Sequence, residues 1–102
     1  MTLQSSDLRL TIACEADHWT IYVAGCLDLA RRSDIVNVAE VLSDRRVNHV
    51  TIDLGRVTFI DTAGYQSISQ AAALIESGGG GVKVVNLSPA TVRLTRALDL
   101  AG

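Results

Sequence analysis

Apolar residues change their spacing part-way along this chain, and that change restricts the folds open to it. Leu8, Leu10, Ile12 and Cys14 alternate with Arg9, Thr11 and Ala13, and Trp19, Ile21 and Val23 resume the alternation after a polar break at Glu15-Ala16-Asp17-His18. Period two is the signature of a strand with one buried face. Two strands joined so briefly form an antiparallel hairpin. Beyond Gly25 the spacing becomes three and four. Ile35, Val38, Ala39 and Leu42 make an apolar stripe along a helix, with Asp34, Asn37 and Glu40 elsewhere around it. Asp28, just before this segment, is a candidate cap.

The same two periods then alternate. Val50, Ile52 and Leu54 mark a buried strand over His49 to Leu54, and Ile68, Ala71, Ala72 and Ile75 mark a helix from about Ala63 to Ser77. Gly78-Gly79-Gly80-Gly81 follows. A phosphate-binding loop would need Gly-Lys-Ser/Thr leading into a helix, whereas these glycines follow a helix and precede a strand, so they read as a helix stop. Val82 to Leu87 is the next strand. Ser88 and Pro89 suit the N-cap and first position of a last helix, with Leu94 and Leu98 on one face beside Thr91 and Thr95. The predicted order is ββαβαβα: an α/β fold with a mixed sheet of four strands or slightly more, parallel after the hairpin, and helices packed on it.

At 102 residues this is one domain. Apolar residues make up 48% but aromatics only 4%, so Val, Ile, Leu and Ala must fill the core. A formal charge of −2, with close arginines only in the short groups Arg31-Arg32, Arg45-Arg46 and Arg93 with Arg96, lacks the basic stripe of a direct nucleic-acid binder. No apolar run approaches the roughly 18 residues that span a bilayer, and Met1 to Asp7 lack a signal-peptide core, so no membrane insertion and a cytoplasmic location are expected. Cys14 and Cys26 have neither metal nor redox spacing. They fall on the two hairpin strands, which would let them lie close, and are read as two small buried hydrophobes: free thiols of low reactivity.

The segment from Val50 to Gly64 carries the chemistry. A strand leads into a loop, then the hydrophobic pair Phe59-Ile60, then Asp61-Thr62-Ala63-Gly64 at the mouth of a helix. Either Asp61 or Thr62 can accept a free backbone N–H there, which is a purely structural role. Small Ala63 and Gly64 also leave the Thr62 hydroxyl uncrowded, and a phosphate on it would meet the positive end of the helix dipole.

This pattern resembles the STAS domain of anti-sigma-factor antagonists, whose signature is an apolar strand, a short loop and Asp-Ser-Ser/Ala-Gly-Leu. The family's second landmark, Gly-Glu-Leu-Asp after the second strand, is similar to Gly25-Cys26-Leu27-Asp28. The resemblance runs from about Leu8 to Gly102. It implies Thr62 as the phosphorylation site, with Asp28, Asp61, Ala63, Gly64 and Tyr65 on the partner-binding surface. It further implies partner switching: the unmodified protein binds an anti-sigma-factor serine/threonine kinase and frees a sigma factor, and the phosphorylated protein lets go. ATP and magnesium belong to that kinase, and no cofactor or metal is expected on this chain.

Four departures bear on this. Thr62 stands where the family has Ser, and the resemblance extends to relatives with threonine here in stress-signalling assemblies or lipid-transport ATPase complexes. A STAS-type structural or regulatory subunit is therefore the alternative function. Cys26 replaces Glu, removing a charge, and Tyr65 replaces Leu, either presenting a hydroxyl or extending the core. The chain stops at Leu100-Ala101-Gly102, where the family continues into a further short strand and helix. A single domain over 1–102 without them would leave an apolar face less covered, which favours a homodimer. An enzyme is not expected: Thr62 would need a base, and His18 in a turn and His49 at a strand start read as solvated surface residues away from the helix mouth.

Overall fold

The computed structural model describes residues 1–5 and 7–101. Five strands form one sheet in sequence order: β1 (Thr2–Ser5), β2 (Leu8–Glu15), β3 (His18–Leu27), β4 (His49–Ile60) and β5 (Gly81–Val85). Pairing is antiparallel from β1 through β3 and parallel from β3 through β5. A short 3₁₀ turn (Leu29–Arg31) leads into α1 (Arg32–Asp44); α2 (Thr62–Ser77) and α3 (Pro89–Ala101) complete the fold.

Hairpin register puts Leu10 opposite Val23 and Ile12 opposite Ile21, and the parallel ladder puts Ile21 beside Ile52. These residues therefore share one face. They are buried together with Ile35, Val38, Ala39 and Leu42 of α1 and Ile68, Ala71 and Ile75 of α2, the helical stripes expected from the sequence. Burying each large aliphatic side chain contributes about 2 kcal/mol, so this layer dominates stability. The opposite face carries Thr11, Thr20, Tyr22, Thr51 and Lys83, none of them buried. α3 packs along β4, with Ala90 and Leu94 against the core.

Several boundaries differ from the expectation. β3 continues past Gly25 to Leu27, and β5 ends at Val85 instead of Leu87, because Asn86 turns to a φ of 54° and Leu87 is left exposed. β1 is an additional edge strand, with only Leu3 to signal an inward face. β4 runs six residues beyond Leu54, through the segment read as a loop. Against β3 it takes one extra residue between Asp53 and Arg56 and another between Val57 and Phe59. Each bulge delays the inward position by one, so Leu54, Val57 and Ile60 are buried at intervals of three. Asp53 holds the first bulge: Gly55 N donates to its Oδ1 (2.8 Å) and Asn86 Nδ2 to its Oδ2 (2.9 Å).

The cysteines depart from their expected surroundings. Cys14 pairs with Trp19 at the hairpin tip, whereas Cys26 lies near the far end of β3, so they are not neighbours. Both are free thiols, but Cys14 is exposed and Cys26 only half-buried. Cys14 does point to the core face. Its thiol donates to the Ala16 carbonyl of the hairpin turn at 3.3 Å.

Candidate functional site

β3 and β4 run parallel, so their C-terminal ends reach the same edge of the sheet, where Leu27 pairs with Ile60. Each strand is followed at once by a helical start, and the two starts are stitched together. Asp61 is the N-cap of α2: its Oδ1 accepts from Gly64 N at 2.7 Å. Its Oδ2 accepts from Leu29 N at 3.1 Å, the first residue of the 3₁₀ turn. One carboxylate thus serves two helix starts, taking a free N–H from each.

Asp28 performs the matching task on its own side, accepting from Arg31 N through Oδ1 at 3.2 Å. Its Oδ2 receives Arg31 Nη1 at 2.7 Å, and Arg31 Nη2 reaches Asp7 Oδ2 at 3.1 Å. The hydrogen bond that Arg31 donates to Asp28 holds the guanidinium above its ordinary pKa. Asp28 is therefore a paired cap of the 3₁₀ turn; the N-cap position of α1 itself is Arg31, without a side-chain cap bond.

Thr62 is the first residue of α2 and is exposed, and its hydroxyl makes no hydrogen bond among the described residues. Ala63 is half-buried beside it. Gly64 is buried: a Cβ there would fall 2.0 Å from the Leu27 carbonyl oxygen, so only glycine lets α2 start this close to β3. Its place in the motif is thus set by packing. Tyr65 is half-buried against the core, and its hydroxyl has no partner among the described residues. The structure brings Asp28, Asp61, Thr62 and Tyr65 to one end of the sheet, with both carboxylates committed to caps.

Two apolar residues of this edge were not expected to face solvent. Leu29, bonded to Asp61, is 58% exposed, and Phe59, opposite Cys26, is 52% exposed. The Phe59-Ile60 pair is split by the bulge, Ile60 going inward. Strand alternation gives no warning of this. The imidazoles lie at the other end of the sheet: His18 pairs with His49, their rings stack at 6.3 Å between centroids, and His18 Nε2 is 2.6 Å from Thr51 Oγ1. Neither stands near Thr62 as a base. No helix among the described residues is long and apolar enough to cross a membrane.

A family model described as "Mlab, STAS domain" matches residues 10–102, and the chain belongs to this STAS-domain family. Its fold is similar to that of an antisigma-factor antagonist STAS domain from Rhodobacter sphaeroides, with a TM-score of 0.69, 22% identity, and 84% of this chain and 97% of that one covered. It is also similar to the anti-sigma factor antagonist SpoIIAA in its unphosphorylated form (TM-score 0.67, 18% identity). The phosphorylated form from Bacillus gives a TM-score of 0.68 at 16% identity; in both cases 91% of this chain and 83% of that one are covered. A structure of Mglu matches at TM-score 0.63 and 22% identity over 72% of this chain, which spans 18% of the Mglu chain. At these identities the likeness concerns the fold.

Proposed function

We propose that this chain is a cytoplasmic anti-sigma-factor antagonist, switched by phosphorylation at Thr62. Unmodified, it binds an anti-sigma serine/threonine kinase through the edge formed by Thr62, Tyr65, Leu29 and Phe59, and the sigma factor is released. Phosphorylation ends that contact. The observation that carries this reading is the exposed, unbonded Thr62 hydroxyl at the first position of a capped helix, in a STAS-family chain.

The chemistry follows from the caps. A phosphate on Thr62 adds about −1.5 to −2 charges and three acceptor oxygens. The α2 dipole and its free N–H groups tolerate this charge, so the fold survives it. The partner does not: the new charge stands next to Asp61, on a surface that otherwise offers Leu29 and Phe59 for apolar contact. Asp28 is offset only in part by Arg31, because the same guanidinium also holds Asp7. The chain's own residues hold and present the hydroxyl, and the transfer chemistry belongs to the kinase. With the kinase and Mg-ATP, a single phosphate is expected on Thr62, read by peptide mass spectrometry and absent in Thr62→Ala. Phosphate on another residue refutes the assignment.

Threonine in place of serine, and a family description that names Mlab, favour one second reading. In it the same edge seats permanently against an ATPase, in a lipid transporter or a stress assembly, and Thr62 is a contact without modification. Stable co-purification with such an ATPase, unaffected by ATP and without phosphate on Thr62, would select this reading.

A further inference from the structure

The helices do not cover the whole inner face of the sheet. Between β1, the hairpin tip and the outer side of α1 lies a cleft of about 520 Å³. Its floor is Ile12, Cys14 and Trp19, and one wall is Val38, Val41 and Leu42. Met1 and Leu3 of the edge close the other side. The polar groups of its lining are Asn37, Arg45, the Cys14 thiol and the Met1 α-ammonium, the last bonded to the Ile12 carbonyl at 2.9 Å. Arg45 is exposed and has no ion pair or side-chain hydrogen bond among the described residues. Val41 is 54% exposed and Leu3 43%, leaving apolar surface in water.

We propose that this cleft binds a free, single-chain alkyl carboxylate, with the chain along Ile12, Trp19, Val41 and Leu42 and the headgroup at Arg45. The volume falls within the roughly 300–1,000 Å³ typical of small-molecule sites, and an apolar lining with a few polar groups at one end is their usual composition. Concavity argues against a flat second copy, which would leave the floor unfilled. The guanidinium selects an anionic head over a cationic one. Trp19 and Thr62 lie at opposite ends of the sheet, since Trp19 pairs with Val50 and Leu27 with Ile60. The proposal therefore stands apart from the phosphorylation reading.

Trp19 is the only tryptophan, so its emission reports occupancy directly. The test titrates the whole chain with hexanoate, octanoate and decanoate below their micelle thresholds, alongside matched alcohols and amines. Expected is a saturable change in Trp19 emission, with affinity rising about fourfold per added methylene until the cleft is full. Val41→Asp should abolish it. Arg45→Gln should weaken the carboxylates about two- to fivefold and leave the alcohols unchanged, and Thr62→Ala should alter nothing. The proposal is overturned by non-saturable emission, by amines binding as tightly as carboxylates, or by binding of anionic phospholipid vesicles alone. It is equally overturned if sedimentation shows a dimer that Val41→Asp dissociates while no amphiphile binds.

Discussion

Asp61 is asked to do two things at once, and its substitutions separate them. Alanine removes the acceptor for Gly64 N and the tie to Leu29 N, so Asp61→Ala should cost about 1–2 kcal/mol in urea unfolding. Asn remains a good N-cap, but its amide cannot accept both N–H groups, so Asp61→Asn should fall between alanine and wild type. Equal stability of all three would show that the carboxylate does not join the two helix starts. Gly64 offers a complementary case. Alanine is the better helix former by about 1 kcal/mol, yet its Cβ would strike the Leu27 carbonyl. A net loss of about 2 kcal/mol is expected from Gly64→Ala, because backbone cannot move aside as a side chain can. The cysteines separate by accessibility: a bulky thiol reagent should label exposed Cys14 of the folded protein first and half-buried Cys26 more slowly. Equal rates would contradict the placement of the hairpin.

Elements show why some of this was legible and some was not. α1 and α2 follow from Ile35, Val38, Ala39 and Leu42 and from Ile68, Ala71 and Ile75, whose spacing leaves no competing element. The last helix follows from Ser88, whose Oγ accepts from Thr91 N at 3.2 Å, with Pro89 at the first position. The second half of β4 was hidden because bulges convert alternation into steps of three at Leu54, Val57 and Ile60. β1 was hidden because an edge strand with one inward apolar residue has no period to detect. Cys14 obeyed the alternation and still reached solvent, since facing the inner side guarantees burial only where a helix lies above. At the site, Thr62 and Asp61 were legible from the motif at a helix mouth. The exposure of Leu29 and Phe59, and the pairing of Asp28 with Arg31, depend on three-dimensional neighbours that no local pattern encodes. Hydrogen exchange should rank the strands accordingly, with amides of the edge strand β1 fastest and those of the central strand β3 slowest.

For the whole molecule, parallel β3 and β4 bring two short motifs, distant in sequence, to one end of a rigid sheet, and a single carboxylate locks them there. In the proposed switch, a charge added at Thr62 acts by changing what this surface can bind, not by refolding it. The most direct test compares three forms of this chain against the same anti-sigma kinase by calorimetry: Thr62→Ala, Thr62→Glu and phosphorylated Thr62. Alanine adds no charge and should bind like the unmodified protein. Glutamate should bind more weakly, and phosphothreonine more weakly still, because it carries more charge and more acceptor oxygens than one carboxylate. A few kcal/mol suffices, since about 1.4 kcal/mol is tenfold in affinity. Graded loss in that order, with thermal stability unchanged across the forms, is the predicted result; equal affinity for all three would contradict the switch.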